Sequence, residues 1–310
     1  MLGAVRTSDD HLTELASHLI VAGGKRLRPV LTVVSGAIGH PDGPVGVTDD
    51  VVMGGVACEL VHLGSLYHDD VMDESPTRRG VETVNAKWGN LQAILAGDFL
   101  LARASEIAAG LGTEVAGLLA RTIGWLCEGQ IEELRFTYDI ARTEDSYLSS
   151  IRGKTASLYA TSARVGGIVA DVDRSTIEAL TVFGDAFGML FQIVDDVLDL
   201  TSTDGALGKP AGHDMQVGVY TLPVIQSMAA GDADAERLQS MLGGPLDEDQ
   251  RTTALSLVRG GGGIDATIEV ASGFVATAVA ALDGLGDSPA LDAMRSAPAE
   301  LLATVLSPTA

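Results

Sequence analysis

Basic residues are scarce in this chain. Its 310 residues include 20 Lys and Arg against 42 Asp and Glu, which gives a formal net charge of −22. Nucleic acids and anionic membrane surfaces both bind proteins through clustered cations. The charge therefore argues against nucleic acid as a partner and against electrostatic docking to a membrane. It also makes the few places where cations do cluster informative.

Cysteine and long apolar runs are scarce as well. Cys58 and Cys127 form no Cys-x-x-Cys or Cys/His metal spacing, so two reduced thiols in a cytoplasmic protein are the simplest interpretation. The N-terminal segment MLGAVRTSDD contains no apolar signal core. No run approaches the length of about 18 uncharged apolar residues that a membrane helix needs. We therefore expect a cytoplasmic chain without a transmembrane span.

Aromatic residues make up only 4% of the chain, and few stretches alternate polar and apolar residues as strands do. Hydrophobic residues make up 46%, largely in Ala- and Leu-rich stretches with helical periodicity. No segment resembles a flexible linker. The pattern predicts an all-α fold in one domain over residues 1–310, with helices around a central cavity. The predicted helices cover residues 8–22, 29–38, 48–73, 90–109, 112–138, 144–170, 174–202, 219–231, 234–242, 247–259, 264–285 and 288–305.

An acidic pentad occurs twice, each time at the end of an apolar run. On a helix, residues four apart share a face, so the first and last aspartates of each pentad lie side by side. Like charges at this spacing repel each other by about 0.2–0.5 kcal/mol on an exposed helix, and by more where water is scarce. Both motifs therefore need a positive counter-charge. The two copies are Asp69-Asp70-Val71-Met72-Asp73 and Asp195-Asp196-Val197-Leu198-Asp199.

A hard divalent cation is a counter-charge that suits these carboxylates. Mg²⁺ binds carboxylate oxygens and keeps open positions for substrate phosphates. The alternative is a solvated acidic helix face, which the 42 acidic residues would explain for either pentad alone. Solvated faces do not usually follow apolar segments such as residues 187–194. We therefore predict metal binding by the six aspartates Asp69, Asp70, Asp73, Asp195, Asp196 and Asp199.

Two basic clusters accompany the first pentad. The segment Gly23–Pro29 offers two glycines for close backbone approach, with Lys25 and Arg28 as cations for phosphate. Arg78 and Arg79 are adjacent, and two diphosphates, one for each arginine, would relieve their repulsion. The alternatives are an ordinary basic turn for the first cluster and, for one of the two arginines, an ion pair with a nearby glutamate.

Single polar residues extend this set. Lys154 and Lys209 are isolated cations, and Lys154 alone is more often a surface residue. Thr155 follows Lys154 in a predicted helix, where a threonine hydroxyl often bonds only to its own backbone. His62 lies seven residues before Asp69 and so shares its helix face, although a helical histidine is more often structural.

In this order, the motifs resemble those of the trans-isoprenyl diphosphate synthases, the polyprenyl synthetase family. The resemblance runs from about residue 20 to about residue 225. One aspartate-rich motif alone would be weak evidence, whereas an ordered set is specific. The matching segments are Gly24–Pro29, His68–Gly80, Gly97–Leu100, Lys154–Ala156, Phe191–Asp199, Gly208–Pro210, Asp214 and Thr221–Pro223.

The resemblance implies an all-α helical bundle around a deep cavity, usually as a homodimer, and head-to-tail chain elongation. An allylic diphosphate ionises, the double bond of isopentenyl diphosphate attacks the allylic cation, and loss of a proton gives an allylic diphosphate one isoprene unit longer. Several Mg²⁺ ions, with Lys and Arg, stabilise the departing diphosphate. Dry apolar walls protect the cation from water.

The resemblance also implies a role for each site residue. Asp69, Asp73 and Asp195 are the implied primary Mg²⁺ ligands, supported by Asp70, Asp196 and Asp199. The allylic diphosphate is implied to bind Arg78, Lys154 and Lys209. Isopentenyl diphosphate is implied to bind Lys25, Arg28, His62 and Arg79. Thr155 and Gln192 are implied to present their side-chain oxygen dipoles to the cation.

Two features depart from the family pattern. Val219 stands where the family usually has a lysine, so one diphosphate contact is expected to be missing and activity to be weaker. The chain also begins close to the first motif, which puts part of the dimer packing in question.

Two alternative functions remain. A class I terpene cyclase needs no isopentenyl site and usually lacks the second pentad, and a non-catalytic subunit of a heteromeric synthase typically loses one pentad.

Gly64 and Ser65, the fifth and fourth residues before Asp69, are both small. In the resembling family, bulky side chains there block the product tunnel and stop growth at short products. The resemblance therefore implies a product longer than farnesyl diphosphate, namely geranylgeranyl diphosphate or beyond. The alternative is that both residues only permit close helix packing, and that a deeper blocker such as Val61 or the helix at 90–109 restores a short product.

Overall fold

The structure is a computed structural model that describes residues 1–38, 47–202 and 211–306. Within these ranges its regular secondary structure is helical apart from one hairpin, so the all-α prediction is confirmed. The hairpin pairs β1 (Thr77–Arg78) antiparallel with β2 (Val81–Glu82). After a 3₁₀ turn at Leu2–Val5, the helices are α1 (Asp10–Val21), α2 (Leu27–Ala37), α3 (Asp49–Met72), α4 (Val84–Trp88), α5 (Asn90–Gly110), α6 (Thr113–Arg135), α7 (Glu144–Ile151), α8 (Ser157–Val169), α9 (Arg174–Thr201), α10 (His213–Gln216), α11 (Leu222–Ala229), α12 (Ala233–Met241), α13 (Glu248–Gly260), α14 (Gly263–Ala281) and α15 (Pro289–Leu306).

The predicted helices are present with ends within four residues of the predicted ones, with one exception. The chain is helical from Glu144 to Val169, as predicted for residues 144–170, but a π-helical turn at Arg152–Ala156 that was not predicted separates α7 from α8. The short helices α4 and α10 and the hairpin were not predicted. Each is too short to show a helical or alternating hydrophobic period.

Side-chain caps fix where several helices begin. Asp9, Thr48 and Thr143 accept hydrogen bonds from backbone N–H groups in the first turns of α1, α3 and α7. Asp247 and Gln250 form a capping box at the start of α13. These side chains satisfy N–H groups that have no acceptor within the helix. The helix starts are therefore set by nearby residues, which explains why the sequence predicts them well.

The chain forms two compact units. The first comprises Met1–Ile123 and Thr161–Thr181. In it α3 packs along α5 and against α2. Glycines permit close contact between α3 and α5, since a Cβ on Gly64 would lie 3.0 Å from the carbonyl oxygen of Gly97.

The second unit comprises Gly124–Ala160 and Val182–Ala310. Its buried core includes side chains from the C-terminal half of α9 and from α10, α11, α13 and α15, among them Met189, Ile193, Met215, Leu222, Val258 and Leu302. The expectation that residues 1–310 form one domain stays a prediction.

Two helices have the length and composition of a membrane span, whereas the sequence was expected to contain none. They are α9 and α14. In α9, 61% of the apolar stretch that could span a membrane is buried inside the protein, and in α14 the buried share is 17%. A core helix of a soluble protein meets the same criterion. These helices are therefore weak evidence for a span.

Candidate active site

The first pentad lies at the C-terminal end of α3. Asp69 is half-buried, and Asp73 follows the last helical residue and is exposed. Asp70 between them is 2% exposed and accepts a hydrogen bond of 2.5 Å from Nε of Arg78. Burial raises the pKa of Asp70, and the charge of Arg78 opposes that rise. The pentad thus has one inward carboxylate held by an arginine and two more accessible carboxylates one helical turn apart.

The β1–β2 hairpin follows α3 directly and carries Arg79 beside Arg78. Arg79 has a left-handed backbone conformation with φ of 54°. Its Nη1 donates to the carbonyl oxygen of Gly23 and, at 3.2 Å, to that of Leu19. A Cβ on Gly24 would lie 2.7 Å from Cζ of Arg79. The sequence predicted that Gly24 lets the backbone approach a ligand, whereas in the structure its missing side chain makes room for Arg79.

A neutral histidine lies among the arginines of the first unit. Loss of solvent contact, followed by the charges of Arg28 and Arg79, holds the pKa of His62 well below its usual range. The imidazole is therefore uncharged at neutral pH and can both donate and accept a hydrogen bond. Lys25 is exposed on the turn before α2, and Arg28 is half-buried in its first helical turn. The structure thus brings Arg28, His62, Arg78 and Arg79 into one electrostatic cluster.

The second pentad occupies the last two turns of α9. Asp195 is exposed, whereas Asp196 and Asp199 are 4% and 5% exposed. Asp196 accepts hydrogen bonds from Oη of Tyr147 at 2.5 Å and from Nε2 of Gln192 at 2.8 Å. Burial raises the pKa of Asp196 well above its usual range, and the hydrogen bond from Tyr147 opposes that rise. As in the first pentad, the second aspartate is buried and held by a side chain from another element.

The π turn positions Lys154 and Thr155. Thr155 Oγ1 donates to Oε1 of Gln192 at 2.8 Å, which links it to the second pentad. Lys154 Nζ donates to Oε1 of Glu133 on α6 at 2.5 Å. The turn packs against Gly129 of α6, where an added Cβ would collide with the backbone of the turn. π turns occur often at functional sites, and this one aims adjacent side chains at two different helices.

Sequence reasoning missed the protein partners of two predicted site residues, Glu133 for Lys154 and Tyr147 for Asp196. It also missed the ion pair between Arg26 and Glu59. Only Glu59 carried a signal, because it is a lone acidic residue in an apolar part of α3, three residues before His62 and on the same face. The other predicted site residue, Lys209, lies outside the described residues.

The donor sets of the two pentads fit a divalent cation. Each pentad lies where a helix ends, and the negative end of the helix dipole disfavours carboxylates there unless a cation is close. Asp69, Asp73 and Asp195 keep hard oxygen donors accessible. Across residues 1–38, 47–202 and 211–306, no three His, Cys, Asp or Glu side chains form a ready-made metal cage. Mg²⁺ retains water or phosphate oxygens among its ligands, so it does not require such a cage.

Carboxylates at the ends of two helices, with a cluster of arginines and a neutral histidine near the first, define a class of protein that acts on diphosphates. Comparison with known proteins gives the family, since the polyprenyl synthetase family matches residues 9–258. The nonaprenyl diphosphate synthase of Mycobacterium tuberculosis is 39% identical over 286 residues, covering 92% of this chain and 84% of that protein.

Two solved structures are also similar. The heptaprenyl diphosphate synthase of Staphylococcus aureus has a TM-score of 0.91 at 31% identity, covering 99% of this chain and 95% of that one. A polyprenyl synthase from Caulobacter crescentus CB15, complexed with calcium and isoprenyl diphosphate, has a TM-score of 0.90 at 32% identity, covering 99% and 92%. The chain belongs to the polyprenyl synthetase family. Its activity is that of a trans-prenyltransferase, as the sequence predicted, and a terpene cyclase is not favoured.

Proposed function

We propose that the chain condenses isopentenyl diphosphate with an allylic diphosphate, head to tail, to give a longer trans-polyprenyl diphosphate. One observation carries the proposal: each aspartate pentad ends an apolar helix and has its second carboxylate buried and held. Arg78 holds Asp70, and Tyr147 holds Asp196. This anchoring fixes each helix end, so the outer carboxylates can bind a charged ligand without reorganising. A cyclase would need no isopentenyl site, and a non-catalytic subunit would lack a pentad.

Asp69, Asp73 and Asp195 would hold Mg²⁺, with Asp70, Asp196 and Asp199 behind them. The calcium and isoprenyl diphosphate in the Caulobacter crescentus structure support a divalent ion in such a site. When bound, Mg²⁺ supplies positive charge that stabilises a departing diphosphate. Arg78, Lys154 and Lys209 would add positive charge for the same substrate. Lys154 would release Glu133 when it binds the diphosphate.

The second substrate binds at the cluster that contains Lys25, Arg28, Arg79 and the neutral His62. The C–O bond of the allylic diphosphate breaks, and its electron pair leaves with the diphosphate. The π electrons of isopentenyl diphosphate then form the new C–C bond, and transfer of a proton to the released diphosphate restores a double bond. Oγ1 of Thr155 and Oε1 of Gln192 present partial negative charge to the transient cation.

The proposal is tested with the purified chain, isopentenyl diphosphate and several allylic starters. Asp69→Ala and Asp195→Ala should each lower kcat by orders of magnitude, because each removes charge stabilisation of about 3 kcal/mol or more. EDTA should abolish turnover, and added Mg²⁺ should restore it. Asp283→Asn changes an exposed aspartate after α14 and is the matched control, with unchanged kcat expected. Full activity in chelator, or in both alanine variants, contradicts the proposal.

The chain is proposed to act as a homodimer in the cytoplasm, and one face of α5 supports the dimer. Leu91, Ile94 and Leu95 are 79%, 40% and 64% exposed. Their spacing of three and four residues puts them on one side of the helix. Large apolar side chains grouped on a surface mark interaction sites, and an isologous contact would cover the same stripe on both copies.

The product is proposed to be geranylgeranyl diphosphate or longer. The similar enzymes named for nonaprenyl and heptaprenyl products support a long product. The small side chain of Ser65 also supports it. Gly64 serves a different purpose, since its missing side chain permits the contact between α3 and Gly97 of α5. The tunnel argument therefore depends on Ser65 alone.

A further inference from the structure

The turn between α1 and α2 has an unusual backbone conformation. Gly23 and Gly24 have φ of 93° and 127°, which glycine tolerates. Arg26 also has a positive φ, 52°, although it carries a side chain. Left-handed conformations are uncommon for residues other than glycine and persist where surrounding contacts hold them. The contacts of Arg26 therefore determine the shape of this turn.

The Arg26 side chain is held by two elements of the first unit. Its Nη1 donates to Oε1 of Glu59 on α3 at 2.5 Å, and its Nη2 donates to the carbonyl oxygen of Ile20 near the end of α1 at 2.8 Å. The Glu59 side chain is only 2% exposed. A buried carboxylate is costly without its partner, so Glu59 requires Arg26 in this place. The guanidinium thus fastens the turn to both α1 and α3.

Arg79 completes the same arrangement from the hairpin. It donates to the carbonyl oxygen of Leu19, which also accepts from Nη2 of Arg26 at 3.5 Å. It further donates to the carbonyl oxygen of Gly23 and lies against Gly24. Two arginines therefore donate to the same carbonyl oxygen near the end of α1.

We infer that Arg26 and Glu59 are positioning residues for the isopentenyl diphosphate site. The inference rests on the proposed function, in which Lys25, Arg28, Arg79 and His62 bind this substrate. Arg26 lies between Lys25 and Arg28 along the chain and shares the carbonyl oxygen of Leu19 with Arg79. Glu59 precedes His62 by three residues on α3. Because the guanidinium of Arg26 neutralises the buried carboxylate of Glu59, we assign it to holding the turn in place and not to binding the diphosphate.

The test is steady-state kinetics with each substrate varied in turn, together with thermal unfolding. Arg26→Met should raise KM for isopentenyl diphosphate by about tenfold or more, because it leaves Glu59 without its cation and releases the turn. KM for the allylic diphosphate should change by less than about twofold. Arg26→Lys, which keeps the charge but not the planar fork, should give an intermediate KM. The double variant Arg26→Met/Glu59→Met should be no worse than the worse single variant, since both changes break one contact.

Controls use an ion pair of similar geometry in the same unit. Arg174 Nη1 donates to Oε1 of Glu114 at 2.6 Å on the protein surface. Arg174→Met should leave both KM values unchanged. Glu59→Gln is a second variant that removes the charge of the buried carboxylate while keeping its size, and it should also raise KM for isopentenyl diphosphate selectively.

The outcomes separate this inference from the proposed function. A wild-type chain that does not consume isopentenyl diphosphate overturns both. A wild-type chain that does, with Arg26→Met folded and KM unchanged, overturns only the positioning role. So does an equal rise of both KM values with a lower unfolding temperature, which indicates a purely structural pair. If Arg26→Met does not fold, the KM values of Arg26→Lys and Glu59→Gln decide by the same criterion.

Discussion

Single side chains in this protein differ sharply in their surroundings, and the two cysteines give a simple probe of that difference. Cys58 in α3 is completely buried, and burial raises its pKa to about 11. Cys127 in α6 is exposed. Since the thiolate is the reactive form, Cys58 is both shielded and largely protonated at neutral pH.

We predict that a thiol reagent such as DTNB titrates one cysteine quickly in the native protein and two after denaturation in guanidinium chloride. Cys127→Ser should remove the fast phase, and Cys58→Ser should leave it. Fast labelling of Cys58 in the native chain would show that α3 is less well packed than the structure indicates.

The pairing of charged residues is what the sequence could not predict. The pattern identified Asp70 and Arg78 as site residues from their type and spacing, and the family resemblance added Lys154. It could not show that Arg78 binds Asp70 or that Lys154 binds Glu133, which is 21 residues away on another helix. Such partners are decided by how helices pack, because many carboxylates in this acidic chain could have served equally well.

Helices were largely predictable because their signals are local. Capping residues and hydrophobic periods lie within the helix itself, as at Asp9 for α1 and Asp247 for α13. The π turn was not predictable from such signals. Gly153 packs on α6, where an added Cβ would lie 2.9 Å from the carbonyl oxygen of Trp125. The irregular turn therefore depends on a contact between helices that no local pattern describes.

Gly129→Ala tests this contact. An added Cβ would lie 2.6 Å from the carbonyl oxygen of Ser150 and against the backbone of Lys154. Backbone atoms cannot move aside cheaply, so we expect a loss of about 1–3 kcal/mol in the free energy of unfolding. We also expect a lower kcat, because Lys154 and Thr155 move with the turn. Denaturant unfolding and steady-state kinetics measure the two effects.

Gly124→Ala is the matched control on the same helix, since nothing lies within 4 Å of its Cβ position. This change should be neutral or stabilise the helix by about 0.5–1 kcal/mol. Equal behaviour of the two alanine variants would mean that the contact at Gly129 does not hold the π turn.

At the scale of the whole molecule, the apolar stripe on α5 predicts how copies of the chain associate. Leu95→Glu places a charge in the stripe, and a charge buried in an apolar interface is strongly unfavourable. We expect this variant to have half the mass of the wild type in light scattering after size exclusion. Val52→Glu changes a 45% exposed residue on α3 and should keep the wild-type mass. A monomeric wild type would contradict the proposed dimer.

Product length is the second property of the whole molecule. Ser65 is half-buried, and its hydroxyl donates to the carbonyl oxygen of His62 at 2.9 Å. Ser65→Phe should shorten the product by filling the tunnel while leaving the first condensation intact, as chromatography of the dephosphorylated products would show. Ser272→Phe is the control, because Ser272 is also bonded to its own helix but is exposed. The tunnel assignment is wrong if Ser65→Phe leaves the products unchanged, or if the wild type stops at farnesyl diphosphate.

The π turn between α7 and α8 has a consequence for how the length of the chain can vary. An α-helix rotates by about 100° for each residue. A π turn contains one residue more than an α turn, so removing one residue from Arg152–Ala156 would let ordinary helical hydrogen bonds close the turn with α8 in nearly the same rotation. Leu158 and Tyr159, now 1% and 0% exposed, would stay in the core, whereas a deletion from the regular part of a helix would rotate everything beyond it by that angle. A deletion within the turn should therefore preserve the fold and impair the site, because it changes where Lys154 and Thr155 point.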